Sequence, residues 1–459
     1  MLDRLFNPRS VAIIGASNVE LKSGWMFLKS LIDSRFEGII YPVNPGSSEV
    51  IGLKSYPSVF DIPGEVDLAV ITVPVSAVCG AMADCARKGV WFVIIHTAGF
   101  SEVGIDGKEL EERVVEIARD GGTRVIGPNC MGIYSPRTKI NTIVPHFEMP
   151  MEEGATSFVG QSGWGSETFI IEGYERGLRF SKVVSSGNQS DLEMVDYLEY
   201  FGGDPETGVI AAYVEGVRDG QRLIRVAEKV SKDKPVMIWK AGRTTAGARA
   251  VASHTGSLAG GDEVCDAAFK QAGIIRADNL YELIDFAVAF NCPIPPLGRR
   301  IGILVESGGG AVAASDSCEG FGLEVPVLPE DVQEELREFL DKIGSPSSAV
   351  GNPIDLVWPP FAEIGRILPR SIEIASRAVD AILMVTYYPL SDEDFASIMA
   401  ELGERIKKPI FVVPTYPTSQ WAGMRNYTMR GIPSFPSPER AAKAMSVFVK
   451  YYERFEHGN

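Results

Sequence analysis

The sequence contains few histidines and no closely spaced cysteine pair. Its 459 residues include four histidines and six cysteines. None of the cysteines forms a C-x-x-C pair, and they are scattered along the chain. Cysteines scattered along a chain of this length fit reduced thiols in the cytoplasm better than a disulfide framework. No metal site is predicted.

Positive charge is also scarce, because 44 Lys and Arg face 60 Asp and Glu and leave a formal net charge of -16. A field of that sign repels nucleic acid and anionic lipid, so neither is expected as a partner. A small anionic ligand is still compatible with this charge, since backbone N–H groups at a helix N-terminus can hold phosphate.

Long apolar runs are missing as well. The most apolar window, residues 68–83, is interrupted by Pro74 and Gly80. A membrane span needs about 20 consecutive apolar residues, so this window indicates a buried strand followed by a helix. The first residues also lack the apolar region of a signal peptide.

Short apolar runs alternate with longer helical stretches throughout the chain. The runs at 11–14, 38–41, 68–71 and 92–95 are predicted to be fully buried strands, and similar series begin near residues 155 and 301. This alternation is typical of βαβ units on parallel sheets. The proline-rich residues 292–298 predict a linker. We therefore predict three α/β domains, residues 1–145, 150–291 and 298–459. The last helix is expected to start at Pro438, capped by Ser437.

The first predicted strand ends in the small-residue turn Gly15-Ala16-Ser17, which allows backbone N–H groups to approach phosphate. It departs from the NAD fingerprint because Ser17 occupies the second glycine position and no glycine follows three residues later. The second strand ends without the acidic residue that would bind a ribose. A nicotinamide dehydrogenase is therefore disfavoured, while a purely structural turn remains an alternative. Further strand ends, at residues 72–74, 96–99 and 126–130, should lie at the same sheet edge, where ligands bind.

His254 has the most unusual surroundings of the four histidines. It lies among Gly, Ala, Ser and Thr, and we predict a mobile loop over residues 242–261. A neutral imidazole is a good nucleophile near pH 7, and a carboxylate can hold its other nitrogen. Glu215, at the end of a predicted strand, is the candidate for that carboxylate; a solvated strand-end acid is the alternative.

Two further turns, residues 161–165 and 186–190, each follow a strand and precede a helix. An exposed helix N-terminus stabilises an anion by roughly 0.3–1 kcal/mol, and by more when it is partly buried. Two converging termini near His254 therefore predict a phosphate site.

Together these motifs resemble the succinyl-CoA synthetase superfamily, with Ile126-Gly127-Pro128-Asn129-Cys130 as the most specific stretch. Residues 253–257, and a third domain carrying 305–310 and 351–356, resemble the ADP-forming acyl-CoA synthetases. The resemblance covers nearly the whole chain. It implies a Rossmann-like CoA-binding domain followed by two flavodoxin-like, doubly wound domains.

The resemblance also assigns expected roles to residues. His254 would carry a phosphoryl group and Glu215 would orient it. The residues expected at the phosphate are Ser162, Gly163, Trp164, Gly165, Gly187 and Asn188. Those expected at CoA are Gly15, Ala16, Ser17, Lys22, Val43, Asn44, Pro45, Thr72, Val73, Pro74, Thr97 and Asn129. Lys22 is a candidate to replace a lysine that the family has after the second strand, where this chain has Ser47 or Ser48.

The implied reaction is acyl-CoA + ADP + phosphate ⇌ carboxylic acid + ATP + CoA, with acetate as the default acid. The chain has no G-x-x-x-x-G-K-[ST] motif, and no further domain remains for an ATP-grasp fold. A partner β subunit with that fold is expected to hold ADP or ATP and Mg²⁺, in an α₂β₂ assembly. The runner-up hypothesis is a non-catalytic acyl-CoA sensor of the same fold.

Some positions keep two interpretations. Trp164 and Phe100 are expected either to border the acyl pocket or to pack in a core. The Gly308–Gly310 turn fits either an anion site at a helix start or close packing between domains.

Overall fold

The computed structural model describes residues 2–144, 149–255, 261–345, 349–387, 393–415 and 420–456. Within them the chain forms three main sheets, each flanked by helices. Two compact units are present. The first comprises Met1–Ile170 and Arg179–Leu280, and the second comprises Ile171–Leu178 and Tyr281–Asn459.

The regular elements follow one another in the alternating order expected from the sequence. The strands are β1 Ser10–Ile14, β2 Ile39–Val43, β3 Glu49–Val50, β4 Leu53–Lys54, β5 Leu68–Ile71, β6 Phe92–Ile95, β7 Arg124–Ile126, β8 Gly132–Ser135, β9 Ile140–Asn141, β10 Glu153–Gly160, β11 Phe180–Ser185, β12 Val209–Val214, β13 Val236–Lys240, β14 Ile275–Ala277, β15 Ile301–Val305, β16 Ile354–Asp355, β17 Ala381–Thr386 and β18 Ile410–Pro414. The helices are α1 Asp3–Phe6, α2 Ser23–Asp33, α3 Val75–Lys88, α4 Ile105–Asp120, α5 Gly163–Glu175, α6 Met194–Gly203, α7 Gly220–Val230, α8 Thr245–Thr255, α9 Asp262–Gln271, α10 Leu280–Phe290, α11 Gly308–Gly320, α12 Glu330–Lys342, α13 Ile364–Ala375, α14 Glu393–Ile406, α15 Gln420–Met429 and α16 Pro438–Glu456.

The first sheet has the order β2-β1-β5-β6-β7, and all its neighbouring strands are parallel. This is the order of a flavodoxin-like doubly wound sheet, in which ligands bind at the carboxyl ends of the strands. The inner strands β1, β5 and β6 are fully buried, as predicted. The prediction was wrong for β2, since this edge strand leaves Ile39 56% exposed. An apolar run cannot distinguish an edge strand from a central one.

The second sheet has the order β14-β13-β12-β10-β11-β8-β9. Strands β10 to β14 are parallel, whereas β8 pairs antiparallel with β11 and β9 pairs antiparallel with β8. The predicted first domain, residues 1–145, thus contains two strands that extend the second sheet. A buried apolar cluster runs continuously from β1 and β6 of the first sheet to β11 and β12 of the second.

Helix α8 replaces most of the loop predicted over residues 242–261, so that prediction was wrong for residues 245–255. Thr244 Oγ1 accepts the Gly247 N–H at 3.0 Å and caps the first turn. Alanines at four positions of α8 favour the helix, because alanine has the highest intrinsic helix propensity. Val251 is buried and anchors this segment. Residues 256–260 lie outside the described part of the chain.

The third sheet has the order β16-β15-β17-β18 and is parallel throughout. Helix α11 begins at Gly308, and Ser307 Oγ accepts the Gly310 N–H at 3.4 Å. The predicted start of the last helix at Pro438 is confirmed. In the described ranges, no helix combines the length and apolarity that crossing a membrane requires.

Candidate functional site

A cleft of about 690 Å³ opens at the carboxyl ends of β1, β5 and β6. Ten of the residues predicted to contact CoA line it: Gly15, Ala16, Ser17, Lys22, Asn44, Thr72, Val73, Pro74, Thr97 and Asn129. Residues separated by more than a hundred positions in the sequence therefore meet at one sheet edge, as the topology requires. We call this the first cleft.

The other two predicted residues do not line the first cleft. The side chain of Val43 is buried, and the residue acts through its carbonyl oxygen, which accepts the N–H groups of Gly15 and Ala16 at 3.0 and 3.2 Å. Pro45 is exposed beside the cleft-lining Asn44. The Asn44 side chain donates from Nδ2 to the Ala16 carbonyl oxygen at 2.7 Å, so it fixes the turn.

Gly24 brings the N-terminus of α2 into the first cleft. A Cβ atom added at Gly24 would lie 1.9 Å from the Gly15 carbonyl oxygen. Only glycine permits this approach, which is the role of the last glycine in a dinucleotide fingerprint. Ser23 and Gly24 both line the cleft, and first-turn N–H groups have no partner within a helix. Together with Lys22, they suit the phosphate groups of CoA.

The sequence did not predict two residues of this cleft, Ser23 and Gly24; it placed His96 and Ala98 at this sheet edge but assigned neither of them to CoA. A usable signal existed for Gly24, because a glycine in the first turn of an amphipathic helix marks a close backbone approach. Ser23 carries no such signal, since a serine at a helix start is common.

His96 is held in the first cleft by one defined hydrogen bond. Its Nδ1 lies 3.0 Å from the Cys130 carbonyl oxygen, and its ring centroid lies 4.8 Å from that of Phe27. A carbonyl oxygen only accepts, so Nδ1 carries a proton and Nε2 is the acceptor in the neutral ring. Burial lowers the pKa of His96 below its ordinary value, and the bond to Cys130 offsets only part of this effect.

We expect His96 to make the protein less stable in mild acid. Because its pKa is lower in the folded chain, the unfolded chain binds more protons below pH ~6.5, and stability falls as the pH decreases. His96→Asn should therefore lose less unfolding free energy than the wild type between pH 7.5 and 5.5, measured by urea denaturation. Above pH 7 the difference between the two proteins should stay constant. An equal loss for both proteins would contradict the assignment.

Glu215 follows β12 and is only 5% exposed, so it is not a solvated strand-end acid. The Tyr213 hydroxyl donates to Glu215 Oε1 at 3.0 Å. Gln161 Oε1 accepts the backbone N–H of Glu215 and, at 3.0 Å, that of Gly216. Burial and the Glu215 charge raise the pKa of Tyr213. The ends of β10 and β12 are thereby tied together around a buried carboxyl group.

The predicted phosphate turn after β10 forms a capped helix start. Helix α5 begins at Gly163, and Ser162 Oγ accepts the Gly165 N–H at 3.2 Å. Trp164 is 62% exposed, whereas Phe100 is fully buried. Of the two aromatic residues considered for an acyl pocket, Phe100 is therefore a core residue and Trp164 is accessible to a ligand.

The second predicted phosphate turn, residues 186–190, packs directly against Gly127 and Pro128, which follow β7. Gly187 has φ +54°, and an added Cβ would lie 2.2 Å from the Pro128 carbonyl oxygen. The backbone N–H of Asn188 donates to that oxygen at 3.0 Å. The Asn188 side chain donates to Glu102 and Glu111. The sequence predicted a phosphate contact for Asn188, but the side-chain amide of this residue faces two carboxyl groups.

A second, larger cleft of about 1100 Å³ lies beside this turn. Gln161, Gly187, Asn188, Gly216 and Arg218 form one wall, and α4 forms much of the other. We call it the second cleft. Ser162, Gly163, Trp164 and Gly165 do not line it, although they directly follow Gln161 in the chain.

The backbone of His254 lies near the end of α8, and its side chain lies outside the described part of the structure. Cα atoms of α8 approach within 8 Å of the 3₁₀ turn Ser101–Val103, and Ser101 lines the second cleft. Over the described residues, no three His, Cys, Asp or Glu side chains are grouped as metal ligands.

Two family models match the chain in the order of its first two sheets. A CoA binding domain matches residues 9–136, and a succinyl-CoA ligase like flavodoxin domain matches residues 153–290. The first match contains every predicted CoA residue, and the second contains Glu215 and His254.

Curated relatives match beyond these two regions. The chain is 44% identical over 357 residues to acetate–CoA ligase (ADP-forming) II subunit alpha of Pyrococcus furiosus, covering 78% of this chain and 76% of that one. It is 39% identical to subunit alpha of ligase I from the same organism, covering 98% and 97%. Longer relatives exist, since the chain spans 64% of the acetate–CoA ligase (ADP-forming) I of Archaeoglobus fulgidus.

Solved structures agree in fold over the whole length. A structure titled Ca. Korarchaeum cryptofilum dinucleotide forming acetyl-coenzyme A synthetase 1, in complex with phosphate and ADP, superposes with a TM-score of 0.87 at 35% identity. The match covers 99% of this chain and 97% of that one. With the fold, the two family regions and the relatives in agreement, this chain belongs to the family of ADP-forming acetate–CoA ligase alpha subunits.

Proposed function

We propose that this chain is the alpha subunit of an ADP-forming acyl-CoA synthetase, with acetyl-CoA as substrate. The overall reaction is acyl-CoA + ADP + phosphate ⇌ carboxylic acid + ATP + CoA. One observation carries the proposal. The strand end that closes the first cleft is hydrogen-bonded to the predicted phosphate turn, from Asn188 N–H to Pro128 O and from Ser190 N–H to Gly127 O, both at 3.0 Å.

This contact matters because the thioester and the phosphate must meet. Reacting atoms need to approach to about 3–3.5 Å in a fixed orientation before attack is efficient. A phosphate oxygen attacks the thioester carbonyl carbon, the carbon–sulfur bond breaks, and the CoA sulfur leaves with a proton from phosphate. The products of this step are an acyl phosphate and CoA.

His254 receives the phosphoryl group in the second step. Its neutral imidazole nitrogen attacks phosphorus, and the carboxylate leaves as the free acid. The buried carboxyl group of Glu215 accepts the N–H of the other ring nitrogen, which keeps the attacking nitrogen unprotonated. Transfer from His254 to ADP then regenerates the imidazole, and acyl phosphate is not released to water.

The CoA group is held by the first cleft. The N-terminus of α2 and Lys22 bind the phosphate groups, and Thr72, Thr97 and Asn129 offer side-chain hydrogen bonds. Val43 supports the turn through its carbonyl oxygen, and Pro45 lies outside the lining. At the phosphate site, Gln161, Gly187 and Gly216 supply the wall, with the helix start at Ser162 to Gly165 next to it.

The nucleotide is held by another chain. No P-loop motif is present in the sequence. The longer Archaeoglobus relative contains additional residues that this chain does not match. We propose an ATP-grasp β subunit that holds ADP or ATP and Mg²⁺, in an α₂β₂ assembly.

The protein acts in the cytoplasm under this proposal. All six cysteines are free, and burial raises the pKa of Cys130, Cys292 and Cys318 to about 12. Protonated, buried thiols suit a reducing compartment and are poor nucleophiles.

Transfer of labelled phosphate tests the function directly. The wild-type chain should incorporate ³²P from inorganic phosphate only when acetyl-CoA is present, and the label should be stable to base and labile in acid. Peptide mapping should place it in the segment containing His254. Adding the candidate ATP-grasp chain and ADP should move the label into ATP.

The remaining outcomes identify alternatives. Labelling with a longer acyl-CoA and none with acetyl-CoA would reassign the acid. No label with any acyl-CoA, despite tight binding of CoA, would favour the non-catalytic sensor.

A further inference from the structure

The side chain of Asn188 joins two carboxyl groups, those of Glu102 in the 3₁₀ turn Ser101–Val103 and of Glu111 in α4. Its Nδ2 lies 2.6 Å from Glu102 Oε2 and 2.9 Å from Glu111 Oε2, and 3.1 Å from Ser101 Oγ. Ser101 Oγ donates in turn to Glu111 Oε2 at 2.7 Å. We call these four residues the Asn188 bridge.

Glu102 connects the bridge to the first cleft. Its Oε1 accepts the backbone N–H groups of Gly99 and Phe100 at 2.6 and 3.1 Å. These residues directly follow Thr97 and Ala98, which line the first cleft. Burial by itself raises the pKa of Glu102, but the hydrogen bonds from Asn188, Gly99 and Phe100 outweigh it and lower the pKa. Glu102 is therefore a carboxylate at neutral pH.

The other atoms of Asn188 contact both clefts. Its Oδ1 lies 3.4 Å from Asn129 Nδ2, and Asn129 lines the first cleft. Its carbonyl oxygen accepts from Arg218 at 3.1 Å, and Arg218 lines the second cleft. One residue thus contacts the CoA side through its side-chain amide and the phosphate side through its backbone.

The direction of these bonds argues against contact between the Asn188 amide and phosphate. The amide nitrogen is directed to three acceptors, of which two are carboxyl groups. Two carboxyl groups at the amide would repel an anion there. The adjoining N–H groups and Gly187 are then the parts of the turn that remain suited to phosphate.

We propose that Asn188 is a positioning residue that couples the first cleft to the phosphate turn. When CoA fills the cleft, the bridge holds residues 186–190 in the register at which phosphate attacks the thioester. This inference rests on the proposed function, and it adds a coupling that runs through Glu102. Coupling between binding sites is reciprocal, so phosphate should tighten acetyl-CoA binding by the factor by which acetyl-CoA tightens phosphate binding.

The Asn188 bridge is tested by substituting Asn188 alone and then Asn188 together with Glu102. Asn188→Asp puts a third carboxyl group beside Glu102 and Glu111, so like charges replace a hydrogen bond. We expect kcat to fall by about 10- to 100-fold, because a displacement of about 1 Å can cost that much. The dissociation constant for acetyl-CoA in the absence of phosphate should change by less than about 3-fold, since the cleft itself is intact. Adding Glu102→Gln to the Asn188→Asp chain restores a donor facing the introduced carboxyl group and should recover at least about half of the loss on a logarithmic scale.

A pH profile separates this role from a general structural defect. Like charges raise carboxyl pKa values, so Asn188→Asp should regain activity relative to wild type as the pH falls towards 5 and a shared proton restores the bond. Glu338 is exposed in α12, and Glu338→Gln is the same chemical change as Glu102→Gln. Glu338→Gln should leave kcat and its pH profile unchanged. Additive losses in the double variant would overturn the proposal. So would a raised KM for phosphate at constant kcat in Asn188→Asp, which would make Asn188 a phosphate ligand.

Hydrogen exchange tests the coupling without turnover. In the wild type, CoA alone should protect both residues 15–24 and residues 186–190, and in Asn188→Ala it should protect only the former. Protection confined to residues 15–24 in the wild type would refute the bridge while leaving the proposed function in place. Absence of protection at residues 15–24 would refute both.

Discussion

Replacing His254 by asparagine should abolish acid-labile labelling of the chain by acetyl-CoA and ³²P-phosphate. Asparagine has a similar size and polarity, but its amide nitrogen is not nucleophilic, so no phosphoramidate can form. The loss should reach the detection limit, at least about 10³-fold, because no other step of the proposed reaction bypasses this group. The substitution lies in α8, where asparagine costs only roughly 0.5 kcal/mol of helix propensity.

Two comparisons make the His254 result interpretable. CoA should still raise the melting temperature of His254→Asn as it does for the wild type, because the first cleft is unchanged. Glu215→Gln should still accept label, but at a rate lower by about 10²-fold or more, since an amide no longer fixes the imidazole tautomer. Persistent label in His254→Asn would move the acceptor to another residue, and the assignment of His254 would be wrong.

Replacing Gly24 by alanine should remove most CoA binding and destabilise the first unit. The added Cβ would lie 1.9 Å from the Gly15 carbonyl oxygen, 2.7 Å from the Gly15 carbonyl carbon and 3.1 Å from the Ala16 Cα. All three are backbone atoms and cannot rotate away, so α2 must move outward. We expect a cost at or above the upper end of the about 1–3 kcal/mol seen for overpacked cores. Thermal unfolding with and without CoA measures both effects.

A second glycine serves as the matched control. Gly80 lies inside α3, and a Cβ added there would meet no atom within 4 Å. Gly80→Ala should therefore stabilise the chain by about 0.5–1 kcal/mol and keep the CoA-dependent shift. If Gly24→Ala instead bound CoA as the wild type does, the close approach of α2 would have no role in the cleft. Lys22→Gln separates charge from packing, since it should weaken CoA binding by roughly 3- to 10-fold without changing the unliganded melting temperature.

Much of the first cleft could be predicted because parallel strands place their carboxyl ends at one edge. The turns at Gly15, Thr72 and Thr97 needed only strand recognition to be brought together. Gly24 was not predicted, and His96 was placed at this sheet edge but not assigned to the ligand. Their place in the cleft depends on how α2 approaches the first turn and how Cys130 orients an imidazole ring, and both are tertiary contacts.

The second cleft was predicted less completely. Gln161 and residues 187–190, which line it, belong to the two turns predicted from the sequence, but the local pattern contained no information about the partner of the Asn188 amide. That partner, Glu102, lies 86 residues earlier in the chain. The error at α8 has a chemical origin, because small residues were taken as unanchored although alanine favours the helix. The roles assigned to His254, Glu215 and the phosphate turns remain predictions.

The antiparallel strands β8 and β9 limit how relatives of this protein can be recombined. A chimaera that takes its CoA-binding part from another family member and joins it near residue 145 would also import Gly132–Ser135 and Ile140–Asn141. Those strands would then have to pair with β11 of the recipient, in the register that joins Tyr134 to Val183. A junction between β7 and β8 keeps the second sheet within one parent. Exchange of substrate preference among these enzymes should therefore tolerate crossovers near residue 130 far better than crossovers near residue 145.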